Sequence, residues 1–393
     1  MEELPVEVVH GSSATGEVVA LGPRRPGVVF IVAALVVVVT LAVVVGSHRP
    51  SPPDHGTSAF STLAPGTTAT ASSTSVAGPT TTAAPAFPAV PSLAGYRLRG
   101  VLGDGTVFGV DIETGRIQSW TQLPGRAGGV EGLTPESFIV RQPDRSLVVS
   151  FDPDAPVLVV SPPGRLIPSD TGFAVLATAN GQRSLALFGA KGEETGTLEA
   201  APWAESISVA GLTADQIILE GLGVIYHVPY QPTGSSAPLT VGTAEVLASG
   251  EVISVGSGRV AYRSCDAKLD CLLRFRSASG GREITTRLVA DEIDSGVARF
   301  TPDGKTFITA TRRGDGSKQI TLVDTTTAQA STLPSGDQSF RGVDNISVTA
   351  DSGVLVWQFD DHRFAFRDLR DQTAAVVELP VPALYVTLTP KGL

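Results

Sequence analysis

Hydrophobic positions follow two regimes along the chain. From Gly27 to Gly46 they are continuous: GVVFIVAALVVVVTLAVVVG is 20 residues with Thr40 as its only polar side chain. From residue 93 onward they come as short runs of Val, Ile, Leu and Phe, each stopped by Gly, Pro or Asp. The first pattern predicts a transmembrane helix over 27–46, because at ~1.5 Å per residue such a segment spans ~30 Å, the thickness of a bilayer core. Buried strands stop at about 4–8 residues. A cleaved signal peptide fits poorly, since 26 residues precede the run and VVVGSHRPS has no small-x-small cleavage site. The second pattern holds no convincing amphipathic helix and predicts short antiparallel strands.

Between the two lies a stretch of different composition. From Ser47 to Ser92, 37 of 46 residues are Ser, Thr, Pro, Ala or Gly. Such a segment buries too little apolar area to offset backbone entropy and is expected to stay disordered, a coil of roughly 40 Å r.m.s.. The predicted organisation is therefore a short tail (1–26), a membrane helix (27–46), a linker (47–92) and an all-β domain (93–393). Arg24 and Arg25 precede the helix and only Arg49 closely follows it. That asymmetry puts the N-terminus in the cytoplasm and the all-β domain outside.

The all-β region contains internal repeats. LTPESFIV (133–140), LTADQIIL (212–219), FTPDGKTFIT (300–309) and VTADSGVLVW (348–357) each set Thr, then Pro or Ala, then an acid before a strand. Taken as turn markers, Asp104, Glu136, Asp170, Asp215, Ser257, Asp303 and Asp351 are spaced by 32, 34, 45, 42, 46 and 48 residues. A period near 40 with strands and no helices predicts a β-propeller of about seven blades, each of about four strands. The short first spacings leave six or eight open. Ring closure further predicts that the strands Tyr96–Val101 and Leu384–Thr389 lie in the same or adjacent blades.

At FTPDGKTFITATRRGDGSKQITLVDTTTAQ (300–329) the sequence resembles the TolB/WD40-like propeller repeat, and TVFGVDIETGRIQSW (106–120) resembles a quinoprotein-type (YVTN/PQQ-like) blade ending. The second resemblance implies that Trp120 packs against the next blade. Together they imply a propeller and leave the activity open, because propellers host many functions.

Composition narrows the function. With 39 acidic and 29 basic residues the formal charge is −10, the wrong sign for a nucleic-acid binder. Arg outnumbers Lys 24 to 5 and Ala, Val and Gly abound, a bias of GC-rich, actinobacterial-type genomes. The only cysteines, Cys265 and Cys271 in RSCDAKLDCLLRF, are expected to form a disulfide closing a hairpin loop. They lack the CxxC spacing and nearby His that a redox or metal site would need. His227, in VIYHVPY, is expected half-buried in a strand, and His362, after Asp360-Asp361, in a solvated loop. Two isolated His make no metal site, and no metal is predicted. Three Trp (Trp120, Trp203, Trp357) are too few for a quinone-binding floor, and no cofactor is predicted. The carboxylate groups Asp152/Asp154, Glu193/Glu194, Asp291/Glu292/Asp294 and Asp360/Asp361 read as solvated loops. Asn345-Ile346-Ser347 is a formal glycosylation sequon. No catalytic residue is assigned.

The resulting expectation is a single-pass, membrane-anchored envelope protein whose propeller is a non-catalytic binding or scaffold module for a protein or glycan. The competing reading is an envelope hydrolase acting on carbohydrate or peptide through carboxylates on a propeller face.

Overall fold

The computed structural model describes residues 85–392, except 124, 126, 135–136, 144, 151–157, 161–164, 180–181, 191, 200–202, 205, 232–237, 313, 315–316, 334–344, 361 and 371–372. The predicted membrane helix, the tail and most of the linker lie outside the described residues. Among the described residues no helix is long and apolar enough to cross a membrane.

The strands alternate with tight turns from the start. Blade 1 takes β1 (Tyr96–Leu102), β2 (Thr106–Asp111) and β3 (Arg116–Gln122). Blade 2 is β4 (Gly129–Thr134), β5 (Ser137–Arg141), β6 (Ser146–Ser150) and β7 (Leu158–Val160). Blade 3 is β8 (Arg165–Ser169), β9 (Gly172–Ala179), β10 (Gln182–Gly189) and β11 (Glu194–Leu198). Blade 4 is β12 (Ser208–Leu212), β13 (Gln216–Gly221) and β14 (Val224–Gln231), whose outer edge is shared by β15 (Thr240–Val241) and β16 (Glu245–Ser249). Blade 5 is β17 (Glu251–Gly256), β18 (Arg259–Cys265), β19 (Cys271–Ser277) and β20 (Ile284–Val289). Blade 6 is β21 (Ile293–Phe300), β22 (Thr306–Arg312), β23 (Lys318–Asp324) and β24 (Ala330–Thr332). Blade 7 is β25 (Asn345–Val348), β26 (Val354–Gln358), β27 (Arg363–Asp368) and β28 (Ala374–Glu378).

The last strand, β29 (Ala383–Pro390), returns to blade 1 and pairs antiparallel with β1, Tyr96 opposite Pro390 and Gly100 opposite Val386. The two chain regions expected to meet therefore share one sheet, and the ring is a seven-bladed propeller. The innermost strands β29, β4, β8, β12, β17, β21 and β25 touch in that order around the axis. Apolar side chains fill the seams between blades. Leu98 and Phe108 of blade 1 pack with Val356, Phe364 and Phe366 of blade 7. Phe275 of blade 5 packs edge-on against Phe300 and Phe307 of blade 6, ring centroids 6.0 and 5.2 Å away. Each blade thus buries on its neighbours the faces it cannot bury alone.

The packed region starts somewhat before residue 93. Phe87 is buried against Phe108 at 5.1 Å, and the Val90 N–H donates to the Ile112 carbonyl. Two expectations need correction. The marker Asp104 lies between β1 and β2, the second and third strands of its sheet, whereas Asp170, Asp215, Ser257, Asp303 and Asp351 all follow an innermost strand. The innermost strand of blade 1 is β29, from the other end of the sequence, so the marker Asp104 falls one strand further out than the others, which accounts for the short first spacing. Trp120 sits on the outermost strand β3, 42% exposed, and its ring faces Phe108 of its own blade at 6.3 Å. The outer strand points the indole toward solvent, away from the seam that the resemblance implied.

Candidate functional site

The recurring Thr-x-Asp turns explain themselves locally. Thr301 Oγ1 donates to Asp303 Oδ1 at 2.6 Å and accepts from the Thr306 N–H at 3.1 Å, so one side-chain pair closes the turn. Gly304 supplies the positive φ of +68°. Thr349 and Asp351 repeat the arrangement, with the Val354 N–H donating to Thr349 Oγ1 at 2.9 Å. Thr213 donates to Asp215 at 3.2 Å.

These turns also bond to one another around one face of the ring. Asp170 accepts from the backbone N–H of Ser257, of Gly258 at 2.8 Å, and of Ala214. Ser257 Oγ donates to the Thr301 carbonyl at 2.7 Å. The Asp303 N–H donates to Ser352 Oγ at 3.0 Å, and Tyr96 Oη donates to Asp351 at 2.8 Å. The marker residues form a belt running from blade 3 through blades 5, 6 and 7 to blade 1.

Inside the belt the innermost strands enclose a cavity of about 340 Å³. β4, β8, β17, β21, β25 and β29 line it, and β12 contributes nothing. The bonds from Asp170 to the turn after β17 draw blades 3 and 5 together in front of blade 4. Tyr385 of β29 is buried and reaches toward β4, where its Oη lies 2.6 Å from the position a Cβ would take at Gly132. Any side chain at 132 would collide with it. Ser347 and Thr387 bond to each other at 2.8 Å and to the Tyr385 oxygen. Burial pushes the Tyr385 hydroxyl pKa up, so the phenol is neutral.

Among the described residues two charged side chains line this cavity. Asp170 is mostly buried, and desolvation raises its pKa against the pull of its three backbone N–H donors. Arg299 of β21 is largely enclosed by protein and lines the cavity. Its Nε touches no solvent and has no hydrogen-bond partner, and among the described residues no carboxylate pairs with the guanidinium. Burial lowers its pKa, while the nearby Tyr385 acts in the opposite direction.

The carboxylates singled out from sequence lie elsewhere. Glu194 accepts from Thr197 on the outer edge of blade 3. Asp291 holds Arg263 at 2.8 Å, Asp294 holds Lys318 at 2.6 Å, and Asp360 holds Arg363 at 2.6 Å. Asp152, Asp154 and Asp361 lie outside the described residues. Among the described residues no cluster of three or more His, Cys, Asp or Glu is placed to hold a metal ion. His227 sits in β14 with its Nδ1 3.2 Å from Gln216 Oε1, and His362 is exposed between β26 and β27. Asn345 opens the innermost strand β25 opposite Gln358. Arg299 was not singled out from sequence: VARF reads as an ordinary strand end.

Cys265 and Cys271 form the disulfide, directly opposite each other across β18 and β19. Cys265 borders a second cleft of about 400 Å³ between blades 4 and 5. Its cation, Arg263, is held by Glu251 at 2.6 Å and by Asp291. Two loop tips on this face expose leucines, Leu222 (92% exposed) and Leu269 (81%).

No protein-family model and no curated protein matches the chain. Solved structures resemble it at low identity. AztD from Citrobacter koseri in its apo form has 10% identity and a TM-score of 0.47 over 75% of this chain and 97% of that one. A 6-phosphogluconolactonase-like protein of Bacteroides fragilis has 13% identity and a TM-score of 0.44 over 76% and 98%. A protein from Lactobacillus plantarum has 12% identity and a TM-score of 0.42 over 75% and 99%.

Proposed function

We propose that this chain is a single-pass, membrane-anchored recognition module, a TolB/WD40-like propeller held outside the cytoplasmic membrane to bind a protein or glycan of the cell envelope. The observation that carries the reading is the make-up of the central cavity. Among the described lining residues the one carboxylate, Asp170, is occupied by three backbone N–H groups in the belt. A hydrolase of the kind weighed from sequence needs two carboxyls flanking one bond, one of them protonated. Asp291, Asp294 and Asp360 are tied instead to cations and Glu194 to a hydroxyl, and none of the four is among the described residues that line the cavity. What the cavity offers is an unsatisfied cation among hydroxyls, which is equipment for holding a ligand.

The test is a C-terminal fusion in living cells. Alkaline phosphatase fused after Leu393 should be active, and a peroxidase fused there should label the same envelope component in repeated experiments. An inactive phosphatase alongside an active cytosolic reporter would overturn the topology. Hydrolysis of an envelope polymer by the purified full-length chain would overturn the non-catalytic role.

A further inference from the structure

We infer that Arg299 anchors a binding site for a small, singly charged carboxylate, which enters the central cavity from the face that carries the belt. The inference rests on the recognition reading above and names the ligand class of the same site. A guanidinium enclosed by protein without a counter-charge is an unstable arrangement unless something completes it, because desolvation disfavours the ion and nothing on the chain compensates. Elsewhere on the ring some described guanidiniums are paired with carboxylates: Arg141 with Glu131 at 2.9 Å, Arg263 with Glu251, Arg274 with Glu283 at 2.5 Å and Arg363 with Asp360. Arg99 donates instead to Ser119 and Arg276 to backbone carbonyls, and Arg97 shares an unpartnered Nε away from the cavity. What sets Arg299 apart is its place: its guanidinium, unpartnered among the described residues, borders the volume on which the strands of six blades converge.

The charge arithmetic selects a monoanion. Asp170, the other charged group among the described lining residues, is turned to the backbone N–H groups of the belt and makes no ion pair with Arg299. One free positive charge remains, and a carboxylate cancels it by accepting two parallel N–H bonds from the guanidinium fork. A phosphate dianion would leave surplus negative charge in a poorly solvated space. The remaining wall suits the body of a small organic acid: Leu133, Val255 and Phe300 are apolar, while Ser254 and Thr134 offer hydroxyls. At about 340 Å³ the cavity admits a metabolite-sized ligand or the acidic end group of a larger one. The lowered pKa of Arg299 agrees with this, since a bound anion would relieve the strain that burial places on the ion.

The experiment uses the full-length chain purified in detergent, with titration calorimetry against propionate, N-acetylglycine, propionamide and inorganic phosphate. The expected result is that both carboxylates bind and propionamide does not. Phosphate should bind more weakly than either carboxylate. Arg299→Gln should weaken carboxylate binding about ten- to a hundredfold, the effect of removing a charged hydrogen-bond donor. Arg299→Lys should keep part of the affinity, and Arg299→Met repeats the test should the Gln variant not fold. Carboxylate binding that is unchanged in Arg299→Gln, tighter binding of phosphate, or no binding by the wild type would each overturn the inference. If no carboxylate binds while the peroxidase fusion still labels one envelope component, the ligand class falls and the recognition role stands. If carboxylates bind through Arg299 but the purified chain hydrolyses envelope polymer, the opposite holds.

Discussion

Replacing Arg299 with Met should make the ligand-free protein more stable. Met keeps the length and apolar stem of the side chain and removes the group that burial penalises. The effective cost of an enclosed, unpaired ion is several kcal/mol, and exchanging buried ionic groups for apolar ones of similar size typically gains about 1–4 kcal/mol. Arg299 borders a cavity that water can enter, which softens the penalty, so about 2 kcal/mol is the expected gain. For a ring of roughly 300 residues the unfolding entropy near 60 °C is about 0.6 kcal/mol/K, so Tm should rise by about 3 °C. The measurement is differential scanning calorimetry of full-length wild type and Arg299→Met in a buffer free of small carboxylates. Arg263→Met is the comparison. Its guanidinium is 41% exposed and held by Glu251 and Asp291, so its loss should change stability by no more than about 1 kcal/mol, in the unfavourable direction. A melting temperature for Arg299→Met more than a degree below wild type would refute the reasoning, because it would mean that the guanidinium makes stabilising contacts in the free protein.

Two further outcomes test other parts of the molecule. Replacing Cys265 and Cys271 together with Ser should cost about 2 kcal/mol on the loop-entropy model for so short a loop, read as a Tm drop of about 3 °C that reductant reproduces in the wild type. A drop below one degree would mean that Asp266, which accepts from the Lys268 and Asp270 N–H groups, already holds the loop unaided. Asp324 accepts from Thr326 and Thr327, which hold its pKa at about 2 against an ordinary 3.8. Its contribution to stability is therefore present above pH 3.8 and lost as pH falls through about 2. Asp324→Asn should flatten the fall in urea resistance between about pH 4 and 2, and identical slopes in variant and wild type would contradict the assignment.

The parts of this fold that were legible in the sequence are those fixed by local chemistry. Thr301-Pro302-Asp303-Gly304 and Thr349-Ala350-Asp351 announce turns because the Thr and Asp side chains bond within the turn itself. The period between such turns pointed to about seven blades, with six or eight still open, and the strand-like segments Tyr96–Val101 and Leu384–Thr389 pointed to the closing pair. The spacing of two cysteines around a polar loop gave the disulfide. What stayed hidden depends on the ring as a whole. Arg299 follows Val297-Ala298 like any polar strand position, and only the convergence of six strands makes its environment unusual. Gly132 looks like one glycine among 42 until Tyr385, more than 250 residues later, is seen to occupy the space beside it. Asp170, in PSDTGFAVL, lacks the Thr that precedes the acid in the four clear repeats, yet its bonds run to a turn 87 residues on, across the front of blade 4.

The way the ring is closed has a mechanical consequence. β1 lies between β29 and β2, so the first strand after the N-terminal region is hydrogen-bonded along both edges. Tyr96, its first residue, is also clasped by Asp351 and Arg370 of blade 7, at 2.8 and 2.9 Å. Tension applied through the segment before Tyr96 would therefore load two seams at once. A domain hung from a tether by its own N-terminus would be fastened at its strongest stitch.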